Sequence, residues 1–453
     1  MNPSRRKSSS SPDYARSRND DDKSRDGRSP TRQRENSPNR NPQNRPRANS
    51  GPGNDISPLF TIASFNLMGL RDSPKKLHEE MVKSGRLGKR EARRAHRLFS
   101  SGLPLKMLEE QYEKKIAWSA STLKSVDAQV WGFQELCHPQ ALRDVFEKAD
   151  LNNKYEILVR EREKGEIWDE DVSCAAAVLK GSLVGKPKWF KDIPQSISFD
   201  LKRGEIIESS VSEDVDQSED EEATTVSVDI KEFQRSVLYF QVKPFKPHSR
   251  TGEFRGKPIS VFVAHLKSKR PSRVRKPYWN MDEENALGLA MSTIKRTAEA
   301  AALRFLLIKE MKGNDTPVIL LGDLNDDPHS NTLDIISGAP RYLDSRGHDT
   351  ALYSTNFLEQ YRSLRDIYYT YVHQNKHETL DHILVSEEFY ENSKRCRWKF
   401  RGLYLKNDHL DKDKATKEHE ADGTSDHAIV KAKFEYNCFE RNHNDKNNPG
   451  PNR

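Results

Sequence analysis

The chain has 453 residues, of which 34% are apolar and 32% charged, with a formal net charge of +7. That length allows one large domain or two ordinary ones, and the low apolar share points to a folded body diluted by a solvated part. Residues 1–55 carry 13 Lys and Arg against 7 Asp and Glu, leaving 63 against 62 over the other 398, so any cationic site on the body has to be local. Four cysteines (Cys137, Cys174, Cys396 and Cys438) stand far apart, which excludes a disulfide framework or a zinc-type spacing and points to a reducing compartment. No run approaches the ~18 apolar residues of a membrane span, and no apolar h-region opens the chain. The expectation is a soluble intracellular protein, cytoplasmic or nuclear, without an obligate protein partner.

Residues 1–57 are Arg, Ser, Asn, Pro and Asp with almost nothing to bury, so they are expected to be disordered. Arg-Ser dipeptides (Arg16-Ser17, Arg28-Ser29) and Ser-Pro steps at Ser11, Ser29, Ser37 and Ser57 fit a phosphorylatable or RNA-attracting arm and equally a plain solvated tail. Order begins at LFTIASFNLMGL, 59–70, an alternating apolar strand. A basic helical region is expected over about 74–118, with helical apolar spacing through LEEQYEKKIAWSASTL. Further strands are expected at 128–136, 155–159, 174–180, 235–243 and 258–266. An acidic, Ser-rich surface insert occupies about 205–225, and an Ala- and Leu-rich helix about 283–311. The strand opening PVILLGDLN follows, then strands at 379–386, 396–405 and 427–436, and a polar tail over 439–453. Strands alternating with helices, with several direct strand-to-strand successions, predict an α/β sandwich in which sheets pack face to face and helices lie outside. The folded domain is expected over 58–438.

One event recurs along this body. An apolar run ends at once in a residue able to bind a hard metal or move a proton: TIASF in Asn66, VWGFQ in Glu135, VFVA in His265, and VILLG in Asp323 and Asn325. Asp381 sits inside TLDHILV, and Asp426-His427 enters AIVKAKF. A single case is an ordinary turn former; six, all amide, carboxylate or imidazole, are not. Carboxylate and amide oxygens suit Mg²⁺ or Mn²⁺, which keep waters for a substrate phosphate. A histidine backed by a carboxylate is fixed in one tautomer and can serve a phosphate oxygen near neutral pH.

The motifs FNL, GFQEL, AHLKSK, LGDLND, LDHILVS and TSDHAIV, in this order over roughly 59–436, resemble the endonuclease/exonuclease/phosphatase superfamily with its deoxyribonuclease-I-like fold. The resemblance implies a four-layer α/β sandwich, two mostly antiparallel sheets with helices outside, and Mg²⁺-dependent hydrolysis of a phosphoester, with Mn²⁺ as an alternative ion. It implies Glu135 as principal metal ligand, with Asn66 and Asp426 beside the metal. Asp323 would orient or deprotonate the attacking water, and Asn325 would hold the phosphate or that water. His427, oriented by Asp381, would bind the phosphate or transfer a proton, and His265 would stabilise developing charge or protonate the leaving oxygen.

Asp326, Asp327 and His382 have no counterpart in these motifs and read as loop and exposed-strand residues. Inositol-phosphate phosphatases of the superfamily carry Cys-Asp-Arg where this chain has Leu380-Asp381-His382. Abasic-site members have an acidic residue where this chain has Met68. After His265 come Lys267, Lys269, Arg270, Arg273 and Arg275, then Tyr278 and Trp279, a mixture of cations and aromatics that fits a nucleic-acid backbone with stackable bases. Nuclease activity on DNA or RNA is therefore the leading expectation. A phosphomonoesterase or lipid phosphodiesterase is the alternative, and a non-catalytic RNA-binding protein the third reading.

Overall fold

Twelve residues of alternating and then continuous apolar character form β1 (Leu59–Leu70), and the seven of β2 (Val130–Leu136) pair with it in parallel. Between them run α1 (Pro74–Ser84) and α2 (Leu105–Val126). The computed structural model describes residues 59–84, 95–96, 99–160, 172–193, 230–244, 256–273, 281–342, 347–361, 369–373, 376–410 and 416–436. All of them belong to one contact unit, Ile56–Arg453. Both expected tails, the acidic insert, Arg275, Tyr278, Trp279 and most of the basic stretch 83–97 lie outside the described residues.

After β2 come α3 (Pro139–Lys148), β3 (Tyr155–Leu158), β4 (Ser173–Leu179), β5 (Leu183–Asp192), β6 (Glu232–Val242) and β7 (Ile259–His265). Then follow α4 (Met281–Met311), β8 (Val318–Asp323), α5 (Asn331–Ser337), β9 (Tyr353–Ser354) and α6 (Thr355–Gln360). A short hairpin, β10 (Tyr371–His373) and β11 (Lys376–Glu378), leads to β12 (Asp381–Val385), β13 (Trp398–Lys406), α7 (Thr416–Asp422) and β14 (Ile429–Tyr436). The expected strands are all present. β5 was not expected: Pro187 and Gly185 interrupt its pattern, and it is tolerated because it is a half-exposed edge strand.

Two six-stranded sheets form, in the orders β13-β14-β1-β2-β4-β3 and β5-β6-β7-β8-β12-β9. Among the described residues of these sheets, β1–β2 and β7–β8 pair in parallel and the other ladders are antiparallel. Ile62, Val130, Val261, Ile319 and Ile383 from the two sheets meet in one core. Phe65, Trp131 and Phe133 face outward onto α2 and α3, and Phe262, Leu320 and Leu324 face outward onto α4 and α5. Helix, sheet, sheet and helix thus make four layers, the predicted sandwich.

β7 and β8 approach so closely that Gly322 has no room for a side chain. Its φ is +142°, and a Cβ there would lie 1.9 Å from the Ala264 carbonyl oxygen. Gly322→Ala is therefore expected to cost about 3 kcal/mol through strain and overpacking. A urea midpoint equal to that of the wild type would contradict this.

Candidate active site

Strand register brings the polar residues together. His265 is the parallel partner of Asp323, and Asp381 is its antiparallel partner, so three neighbouring strands of one sheet present side chains at one level. Asn66 and Glu135 come from the parallel pair of the other sheet, where the register shifts between Asn66 and Leu70. Glu135 and Met68 adopt positive φ, 58° and 48°, at this bulge. Such strain is sustained only where the surroundings over-determine it, and bulges re-aim side chains. Asn325 is likewise left-handed, at φ 55°.

Asp323 is the hub. Its Oδ2 accepts from Asn66 Nδ2 at 3.0 Å and lies 3.5 Å from His265 Nε2 and 3.8 Å from His427 Nε2. Its Oδ1 accepts from the Asn325 backbone N–H at 2.9 Å. His427 Nδ1 donates to Asp381 Oδ2 at 2.7 Å, which leaves Nε2 facing the hub. Glu135 Oε1 stands 3.4 Å from Asn66 Nδ2 and 3.9 Å from His265 Nε2. The Tyr371 ring packs 5.0 Å from that of His427.

Burial raises the Asp323 carboxyl to about 7; Asp381 and Glu135 add to the rise, and His427 opposes it. Burial works against a charged His427, but Asp381 and Asp323 outweigh it and hold the ring well above the usual histidine range. Burial, with Arg235 and His427, pushes His265 well below that range, so its imidazole is neutral.

Glu135, His265 and Asp323 offer atoms within 4.8 Å of one another, as do Asp323, Asp381 and His427. A hard divalent cation fits the first group: two carboxylates crowd together there, and Glu135 is partly open to solvent. Two expected metal-side residues sit differently. Asn66 presents its amide N–H to both carboxylates, while its Oδ1 accepts from the Met68 N–H at 2.9 Å. That amide N–H orients the acids. Asp426 belongs to neither group of possible ligands among the described residues, and its charge acts on Lys115 and His427.

The Asn325 side chain donates from Nδ2 to the Leu266 carbonyl at 3.0 Å and thereby ties the β8 exit to the basic loop. That loop is built by α4. Glu299 accepts the Lys267 N–H at 2.7 Å and the Gln234 N–H at 2.8 Å, and Arg296 reaches the Lys267 carbonyl at 3.3 Å and Asp326 at 3.1 Å. Lys267 is consequently turned inward, its ammonium donating at 3.0 Å to the carbonyls of both Ser268 and Arg270. Lys269 pairs with Glu378 at 3.0 Å, whereas Arg270 and Arg273 are exposed.

His382 is buried, not exposed as expected; its Nε2 donates to the Asp326 carbonyl at 2.9 Å. The Asp326 carboxylate accepts from Arg296 and from the Thr332 hydroxyl, so this residue organises the loop rather than merely turning it. Sequence reasoning also missed Lys115, a buried lysine beside the site. Burial brings it down to about 8 against the pull of Asp426, Glu135 and Glu420. Its sole sequence signal is a lysine on the apolar stripe that includes Leu108, Ile116 and Leu123.

Residues 270–427 match the model of the Endonuclease/Exonuclease/phosphatase family. No curated protein matches the chain in sequence. Among solved structures, an endonuclease/exonuclease/phosphatase family protein from Bacteroides thetaiotaomicron aligns at 14% identity and TM-score 0.43, covering 84% of this chain and 99% of its own. The human Nocturnin catalytic domain aligns at 14% identity and TM-score 0.43, covering 84% and 94%. D. rerio TDP2 complexed with a single-strand DNA product aligns at 15% identity and TM-score 0.41, covering 83% and 98%. No helix among the described residues is long and apolar enough to cross a membrane.

Proposed function

We propose that this chain, whose residues 270–427 match the endonuclease/exonuclease/phosphatase family model, is a Mg²⁺-dependent phosphodiesterase that hydrolyses nucleic acid. The observation that carries the reading is the hub at Asp323. One carboxylate there meets an amide N–H and two imidazole Nε2 atoms, with Glu135 alongside.

Glu135 and Asp323 would hold Mg²⁺, and the ion would supply charge stabilisation for the phosphoryl group and polarise water. The protein's own residues do the rest. Asp323 accepts the proton of the attacking water, and Asn66 keeps its Oδ2 aimed. The water oxygen bonds to phosphorus as the bond to the leaving oxygen breaks. His427, cationic and locked by Asp381, hydrogen-bonds the phosphate and gives its proton to the leaving oxygen. Neutral His265 donates a hydrogen bond to the charge that develops on the phosphate.

Arg270 and Arg273 are exposed on the loop that follows His265 and would follow the substrate backbone. Replacing both by glutamate is expected to raise KM for a nucleic acid by ~10-fold or more and to flatten its salt dependence. KM for a small diester such as bis-(p-nitrophenyl) phosphate should not change. Equal losses on both substrates would favour a small-phosphoester enzyme and count against nucleic acid.

A further inference from the structure

Lys115 is 8% exposed, on the core-facing side of α2, where a lysine is not expected. Its Nζ donates at 2.5 Å to the carbonyl of Thr424. Thr424 opens the segment that delivers Asp426 and His427. The same segment presses on the helix backbone from Gly423. There φ is +70°, and a Cβ would lie 2.6 Å from the Lys115 nitrogen. Around Lys115 the segment is held further. Ser425 Oγ donates to the Asn66 carbonyl at 2.8 Å, and the Ala428 N–H to the Thr370 carbonyl at 2.8 Å. Trp118, whose ring lies 5.9 Å from Lys115 Nζ, packs edge-on against His409, and His409 Nε2 donates to the His427 carbonyl at 3.0 Å.

Asp426, Glu135 and Glu420 are the opposing charges that act on this ammonium. A buried charge is tolerated only when it is paired and hydrogen-bonded. Lys115 therefore joins α2 to the backbone that leads to Asp426 and His427.

We propose that Lys115 is a positioning residue of the active site. It pins Thr424 so that His427 meets Asp323 and Asp381. The role rests on the phosphodiesterase reading, but its structural half can be tested without turnover.

The test compares Lys115→Met, Lys115→Arg and Lys114→Met in the full chain. Lys114 is the exposed neighbour, with its Nζ 3.5 Å from the Ala421 carbonyl. Hydrogen exchange over residues 424–428 and kcat and KM on a small diester are measured for each. In Lys115→Met, exchange over 424–428 is expected to quicken ~10-fold or more while β1 and β8 stay protected. Its kcat should fall ~100-fold with KM within ~3-fold. Lys115→Arg should restore both to within ~5-fold, and Lys114→Met should match the wild type. The proposal is overturned by unchanged exchange over 424–428 in Lys115→Met, by equal quickening throughout α2 and β1, or by no rescue from arginine. It is also overturned if kcat stays within ~3-fold of an active wild type. If the wild type turns over no phosphoester, the phosphodiesterase reading fails, and the exchange arm alone decides whether Lys115 pins the segment.

Discussion

Replacing Asp323 with asparagine is expected to cut turnover ~10²–10⁴-fold, the range associated with a lost general base. The same change should stabilise the metal-free protein at neutral and alkaline pH. Burial raises the Asp323 carboxyl from 3.8 to about 7. The folded state thus binds this proton more tightly than the unfolded chain. Asp323 therefore weakens the fold progressively as pH rises from about 4 through 7. The full penalty is of order 4 kcal/mol at most, since one pKa unit is worth about 1.4 kcal/mol. In chelator at pH 8, Asp323→Asn should melt above the wild type, and the gap should narrow toward pH 5 and close below about pH 4, where Asp323 is protonated in both folded and unfolded states. Divalent-ion affinity of the wild type should rise with pH through about 7, because the ion competes with that proton. A melting temperature lowered equally at both pH values would mean that Asp323 is a structural anchor rather than a strained catalytic carboxylate.

Asp381→Asn should reduce turnover by a similar ~10²–10⁴-fold and should also move the pH profile. The 2.7 Å bond from His427 Nδ1 to Asp381 fixes the tautomer, and the Asp381 charge holds the ring protonated against burial. The wild-type rate should accordingly persist well above pH 6.5 on its alkaline side. In Asp381→Asn the opposing burial is left less balanced, so that limb should move down toward or below the ordinary histidine range. His427→Ala should lose the limb along with the activity. The stability sign runs opposite to that of Asp323. His427 is raised above its unfolded value, so its contribution is full below about 6.5 and is lost as pH climbs through the higher folded value. A residual alkaline limb at the wild-type position in Asp381→Asn would show that His427 is not the titrating acid.

The sandwich and the hub were legible in the sequence because each strand marks its own end. An apolar run such as Val318–Leu321 cannot continue into Asp323, and the same break at His265 and Asp381 places those residues at strand termini, whereas Asn66 lies inside β1 where its pairing with β2 shifts register. Strand order, register and the left-handed turn at Glu135 were not legible. They arise from pairing across the sheets and from the bulge between Asn66 and Leu70. The amide orientation of Asn66 is fixed by the Met68 N–H at that bulge, which composition does not reveal.

The basic loop shows a second limit. Lys267 and Arg270 look equivalent as letters, yet Glu299 and Arg296 on α4 turn Lys267 inward and leave Arg270 in solvent. Lys115 lies 309 residues from the Thr424 carbonyl it binds, too far for any local pattern to link them. β5 escaped notice because an edge strand needs neither continuous apolar character nor a full set of backbone donors.

The central claim is metal-dependent hydrolysis of nucleic acid at the Asp323 hub. Its most direct test incubates the purified full chain and its Asp323→Asn variant with single- and double-stranded DNA and RNA, a phosphoinositide and sphingomyelin. Each substrate is tested with Mg²⁺, Mn²⁺ or chelator. The account predicts cleavage of at least one nucleic acid by the wild type with Mg²⁺ or Mn²⁺, none in chelator, and none above ~1% of the wild-type rate by Asp323→Asn. Turnover confined to the lipids, or nucleic-acid cleavage that survives in both chelator and Asp323→Asn, would contradict it.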